Sequence, residues 1–118
     1  MTVVLVAIAG ALGVLSRYGL SSTVHGDALP WMTVAINVAG SFALGMLVVI
    51  PFSSEEARTA IGVGFLGGFT TFSTFSVQAV LDVDAGEPGR AALYIGSSVV
   101  LGLAAAAAGY ALAHALRA

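Results

Sequence analysis

Gly64-Phe65-Leu66-Gly67-Gly68-Phe69-Thr70-Thr71-Phe72-Ser73-Thr74-Phe75-Ser76 lies at the centre of the third of four long apolar stretches in this chain. Two adjacent glycines and a threonine pair are poor helix formers, yet the flanks are apolar enough for a bilayer. A helix interrupted in lipid leaves backbone carbonyls that must find a partner. Such interruptions belong where carbonyls bind a cation or line a cavity. A second reading is open, because Gly64 and Gly68 have the spacing of a small-residue packing face. Taken alone, the glycines favour that reading. A packing seam does not explain the hydroxyls at Thr70, Thr71, Ser73, Thr74 and Ser76 interleaved with aromatic rings. The stretch therefore predicts a third transmembrane helix broken near mid-membrane.

The composition agrees with a chain that lives in lipid. Of 118 residues, 58% are hydrophobic and 8% charged, against about a quarter charged in a soluble domain. Spans of about 20 residues leave room for four and little else. They are expected at about 2–22, 31–50, 57–81 and 90–116, in a single transmembrane domain covering 1–118. Pro30 suits a helix start, Trp31 an interfacial anchor, and Ser54 before Glu55 and Glu56 an N-cap. Asp82 to Gly89 reads as a polar loop. Ala7-Ile8-Ala9 looks like a signal cleavage site, but no basic residue precedes it, so the segment is read as the first span. Without cysteine there is neither disulfide nor thiolate site. Without a basic run nucleic acid has no partner here.

The four Lys and Arg residues are all arginine. The N-terminus, Arg58 and Arg117 fall on one membrane face, and Arg90 and, if it reaches an interface, Arg17 on the other. Orientation follows an excess of positive charge, and here there is none. Insertion in both orientations, leading to an antiparallel two-fold dimer, is one reading. A single orientation fixed by the N-terminal amine or the insertion machinery is the other.

Polar side chains recur at helical spacing. Thr33, Asn37 and Ser41 form one stripe, continued by Gly45. Tyr94 and Ser98 form another, with Ser97 beside them. Arg17 lies within the first apolar segment. Each has a plain alternative: Thr33, Ser41 and Ser98 bonding their own helix, Asn37 joining two helices, Arg17 snorkelling to the interface. Together, three helices offer neutral donors, with aromatic ring edges nearby. That set suits a small anion: it has neither an acidic ring nor excess positive charge to trap the ion.

Three segments carry a family resemblance over essentially the whole chain. They are Gly10-Ala11-Leu12-Gly13-Val14-Leu15-Ser16-Arg17-Tyr18, Thr33-Val34-Ala35-Ile36-Asn37-Val38-Ala39-Gly40-Ser41-Phe42, and Gly67-Gly68-Phe69-Thr70-Thr71-Phe72-Ser73-Thr74-Phe75-Ser76. The chain resembles the small four-helix fluoride channels of microorganisms, the Fluc or CrcB family. The resemblance implies an all-α membrane protein that forms an antiparallel, dual-topology homodimer with two pores in the prokaryotic inner membrane. It implies passive export of fluoride. It implies a central structural sodium ion held by the Gly67 and Thr70 carbonyls. Phe72 and Phe75 match the pore aromatics, Asn37 the pore amide, with Thr33 a turn away. Tyr94 and Ser98 match a hydroxyl track, and Arg17 a basic residue near a vestibule. Gly102 departs from relatives that continue the track with a hydroxyl.

Three rivals are weaker. A small dual-topology exporter needs an embedded carboxylate, and the acids are expected at loops or span ends. A non-conducting partner subunit of a heterodimeric channel does not account for Asn37, Phe72 and Phe75 together. An enzyme has little to build on, since His25 and His114 sit near span ends with no acid in a motif.

Overall fold

The computed structural model describes residues 1–117, and its elements are helical. Helix α1 spans Thr2–Ser21. Its last carbonyls are covered by nearby hydroxyls, Ser22 on Gly19 at 2.8 Å and Thr23 on Leu20 at 2.6 Å. Gly26, at φ 59°, opens a 3-10 turn over Gly26–Ala28. Helix α2 spans Leu29–Leu47, with Pro30 in its first turn, where a missing N–H costs nothing.

The third span is composite. Helix α3 (Glu55–Thr59) is capped by Ser54, whose hydroxyl accepts the Ala57 N–H at 3.1 Å. It passes into a wider, π-helical stretch over Ala60–Leu66 and then into α4 (Gly67–Phe69). Thr70 and Thr71 are extended, at φ/ψ of -88°/159° and -150°/124°. Helix α5 resumes over Phe72–Asp84, and α6 runs over Pro88–Arg117. The turn between them uses Gly86 at φ 80°, a conformation that suits glycine.

Four helical segments are long and apolar enough to cross a membrane: Thr2–Ser21, Gly26–Leu47, Glu55–Asp84 and Pro88–Arg117. The second segment starts and ends earlier than the expected 31–50, and the third ends later than the expected 81. Asp82 lies inside α5, not in the following loop. Phe75, Ala79 and Asp82 share one helix face and are all buried.

Lipid gives helices little hydrophobic reason to associate, so close packing of small residues must hold them. The two main seams are built that way. Helix α2 packs most extensively on α6. There a side chain on Gly45 would overlap the Ala106 carbonyl, and one on Gly109 the Phe42 carbonyl. Helix α1 packs on the first half of the third span, with Gly13 against the Phe65 carbonyl and Gly68 against the Gly10 carbonyl. Gly64 and Gly68 thus serve a packing face, the alternative left open above. Val34, Phe75, Ala79 and Tyr94 form the buried cluster, with Val38 packed against it. Leu12, Leu15, Val63, Leu103 and many other large apolar side chains face outward, as lipid contact requires.

Candidate functional site

A cavity of about 320 Å³ opens where α2, α6 and the third span meet. Asn37 and Ser41 line it from α2, Ser98 from α6, and Thr70, Thr71, Phe72 and Phe75 from the extended step and the start of α5. Gly40 lets the step come close, since a side chain there would run into the Thr70 methyl group.

Asn37 reaches across to the step. Its Oδ1 accepts the Thr71 N–H at 2.8 Å, and its Nδ2 donates to the Thr71 carbonyl at 3.0 Å. Thr71 also caps α5, its hydroxyl accepting the Thr74 N–H at 3.3 Å. Both bonds take donors away from carbonyls that a continuous helix would satisfy four residues back. The Thr71 N–H is lost to Gly67 and the Thr74 N–H to Thr70. These two carbonyls therefore suit a small cation, and Gly67 is exposed on the chain's surface.

The aromatic side chains continue away from the step. Phe72 and Phe75 have ring centroids 5.5 Å apart, Phe75 and Tyr94 5.2 Å, and Tyr94 and Trp31 6.2 Å. The first two pairs are tilted and the last is edge-on, so ring edges, which are electropositive, are turned towards neighbours. The Phe rings differ sharply in exposure: Phe75 is 8% exposed and Phe72 78%. Along the same path the hydroxyls of Tyr94 and Ser98 are buried with no hydrogen-bond partner among the described residues. Of the two, Ser98 lines the cavity and Tyr94 is fully buried behind it.

Other residues singled out by sequence sit differently. Thr33 is buried and its hydroxyl donates to the Leu29 carbonyl at 3.3 Å, the own-helix bond of the plain alternative. Neither Thr33 nor Tyr94 lines the cavity. Arg17 turns inward: its Nε donates to the Gly68 carbonyl at 3.3 Å, at the carbonyl end of α4, where positive charge is favoured. A side chain built on Gly102 would meet Ser41 Oγ at 3.9 Å, so the hydroxyl of Ser41 faces the place where α6 lacks one. Asp82, expected in a polar loop, lies inside α5. It is 5% exposed, its Oδ2 has no hydrogen-bond partner among the described residues, and Gln78 approaches its Oδ1 at only 3.5 Å. The seven-residue spacing from Phe75 was the available signal.

Charge is arranged at the two ends. Arg58 donates to the carbonyls of Leu47 and, at 2.7 Å, Ile50. Arg117 donates to Val49 at 3.1 Å. Both close the carbonyl end of α2. Arg90 pairs with Asp27 at 2.9 Å at the opposite end.

Residues 4–110 match the family described as CrcB-like protein, Camphor Resistance (CrcB). Similar proteins include one from Thermus thermophilus, 45% identical over 95% of this chain and 94% of its own length. One from Rhizobium etli is 44% identical over 95% of both chains. One from Geobacter sulfurreducens is 40% identical over 92% of this chain and 93% of its own. All three bear the name fluoride-specific ion channel FluC. With a family match along nearly its whole length and relatives this similar, the chain belongs to the CrcB family.

Proposed function

We propose that this protein is a passive, fluoride-selective channel that lets cytoplasmic fluoride leave the cell and so lowers its toxicity. The observation that carries the proposal is the donor-lined cavity beside the extended step, in a chain whose relatives are named for fluoride conduction. Fluoride holds its water tightly, so a pore must replace that shell with closely spaced donors and still release the ion. Asn37, Ser41 and Ser98 supply neutral donors, and the edges of Phe72 and Phe75 add a weak positive field. The N-terminal end of α5 points its dipole at the same place. Tyr94 extends the row of donors, Thr33 supports its packing, and Arg17 balances the carbonyl end of α4.

A second copy in antiparallel orientation completes the pore in this reading. The exposure of Phe72 and Gly67 on the single chain supports it, as does the even division of arginines. The same two-fold arrangement brings the Gly67 and Thr70 carbonyls of two subunits together around a sodium ion. When bound there, sodium supplies the positive charge that these carbonyls lack in lipid. The third span is then a membrane helix broken for two reasons, cation binding on one side and anion passage on the other.

Efflux of fluoride from liposomes containing the purified protein tests the function, with chloride as the comparison and an ionophore to clamp counter-charge. Fast fluoride efflux with negligible chloride efflux is expected. No fluoride efflux from a well-folded dimer would overturn the homodimeric channel and favour a missing partner subunit. The proton-coupled exporter is tested through Asp82, the only acid fully buried among the described residues. Asp82→Asn should keep passive fluoride efflux within about threefold of wild type, whereas an exporter would lose its coupling.

A further inference from the structure

We propose that Asn37 is a positioning residue: its carboxamide locks the extended step at Thr71, and the same lock decides which edge of the carboxamide the permeating anion meets. The functional half of this inference rests on reading the cavity as a fluoride pore. The structural half stands without that reading.

In an extended residue the N–H and C=O point to the same side of the chain. Thr71, at φ -150° and ψ 124°, presents both groups to α2. Asn37 meets them with an acceptor at 2.8 Å and a donor at 3.0 Å. The side-chain amide thus takes the place that a neighbouring strand's backbone would fill, in a protein that has no strand among its described residues. Gly40, three residues further along α2, has no side chain to hold Thr70 away. A bulkier residue there would push the step out of Asn37's reach.

The pairing also fixes the amide's orientation. Carboxamide oxygen and nitrogen are told apart by their partners, and here both partners are backbone groups of known polarity. Reversing the amide would set its oxygen against the Thr71 carbonyl and its N–H against the Thr71 N–H. With Oδ1 committed to Thr71, Asn37 retains one Nδ2–H that makes no hydrogen bond among the described residues. Asn37 lines the cavity, and that remaining group is a donor. A free carboxamide could turn its oxygen towards the ion and repel it; a locked one offers N–H. The lock has a second effect. By drawing the Thr71 N–H away from Gly67, it leaves the Gly67 carbonyl free for a cation.

Two variants test this. Asn37→Ala removes both bonds. A backbone ester at Thr71, introduced by semisynthesis, removes the N–H that Oδ1 accepts and leaves every side chain in place; it also weakens the Thr70 carbonyl as an acceptor, so its efflux is compared with wild type at saturating sodium. The first readout is exchange of the Thr71 amide with water, followed by NMR, in wild type and Asn37→Ala. Exchange at least tenfold faster in the variant is expected, and unchanged exchange overturns the lock. The second readout is fluoride efflux from the folded ester protein. Efflux at least tenfold slower, or a clear rise in chloride leak, is expected. Wild-type flux and selectivity in the ester protein, with only its melting temperature lowered, would make the lock merely structural and overturn the positioning role. Gly40→Ala should reproduce the faster Thr71 exchange. If wild-type protein itself passes no fluoride, the pore reading fails, while the exchange experiment still decides the lock.

Discussion

At the scale of single residues, Ser41 and Gly102 form a complementary pair where α2 faces α6. The hydroxyl comes from α2 where α6 has none, and the two positions are in ordinary contact distance. Ser41→Ala should therefore slow fluoride efflux about tenfold, the cost of about one hydrogen bond to the ion. Exchanging the two residues, Ser41→Gly with Gly102→Ser, returns the hydroxyl from α6 and should restore most of the flux. An exchange variant no faster than Ser41→Ala would show that the hydroxyl works only from α2. The two phenylalanines separate in the same way. Phe75 is buried against Val34, Ala79 and Tyr94, so Phe75→Ala leaves a cavity and should lower stability by about 2 kcal/mol or more, seen as a lower melting temperature. Phe72 is 78% exposed on the single chain. Phe72→Ala should leave the subunit's stability nearly unchanged and reduce fluoride flux.

At the scale of elements, the third span shows what a sequence can and cannot display. The threonine pair marked the place of the extended step because poor helix formers and hydroxyls coincide there. The glycines pointed two ways, since the same residue type serves close packing and backbone freedom. Only the positions of Val6, Ala9 and Gly10 on α1 settle that Gly64 and Gly68 pack. The Asn37 stripe was legible from its four-residue spacing, but its partner was not. A backbone N–H and C=O carry no sequence signal, so nothing in the letters says that Thr71 is what Asn37 holds. Arg17 was hidden for the same reason, its partner being the carbonyl of Gly68. Asp82 was misplaced because acids ordinarily end spans, and its burial depends on which face of α5 turns inward. The cap at the start of α5 gives an element-scale prediction. Thr71→Ala keeps the backbone bonds to Asn37 but loses the hydroxyl that accepts the Thr74 N–H. It should lower stability by about 1 kcal/mol, and Thr71→Ser should recover most of it. Equal stability of the alanine and serine variants would assign the helix start to Asn37 alone.

At the scale of the whole molecule, the proposed antiparallel pair requires one sequence to supply both halves. Orientation is set as the spans insert, by the positive charges flanking them, before Arg17 can reach Gly68 or Arg58 and Arg117 can close α2. At that stage two arginines flank each face, and a small added charge should tip the balance. Asp84→Lys with Glu87→Lys adds positive charge at the end of α5 and in the turn that follows, and both positions are exposed. Ser53→Lys with Glu56→Lys adds it at the opposite face, near the start of α3. Each double variant should insert in one orientation, readable by labelling a single cysteine placed in either loop from outside intact cells. Alone, neither should form an antiparallel pair or pass fluoride. Expressed together they supply opposite orientations, and flux should return. Flux from either variant alone, with all copies labelled from one side, would rule out the antiparallel pair and leave a parallel or single-subunit pore. Return of flux only on co-expression would tie conduction to two oppositely inserted copies, and so account for the even division of arginines expected from the sequence.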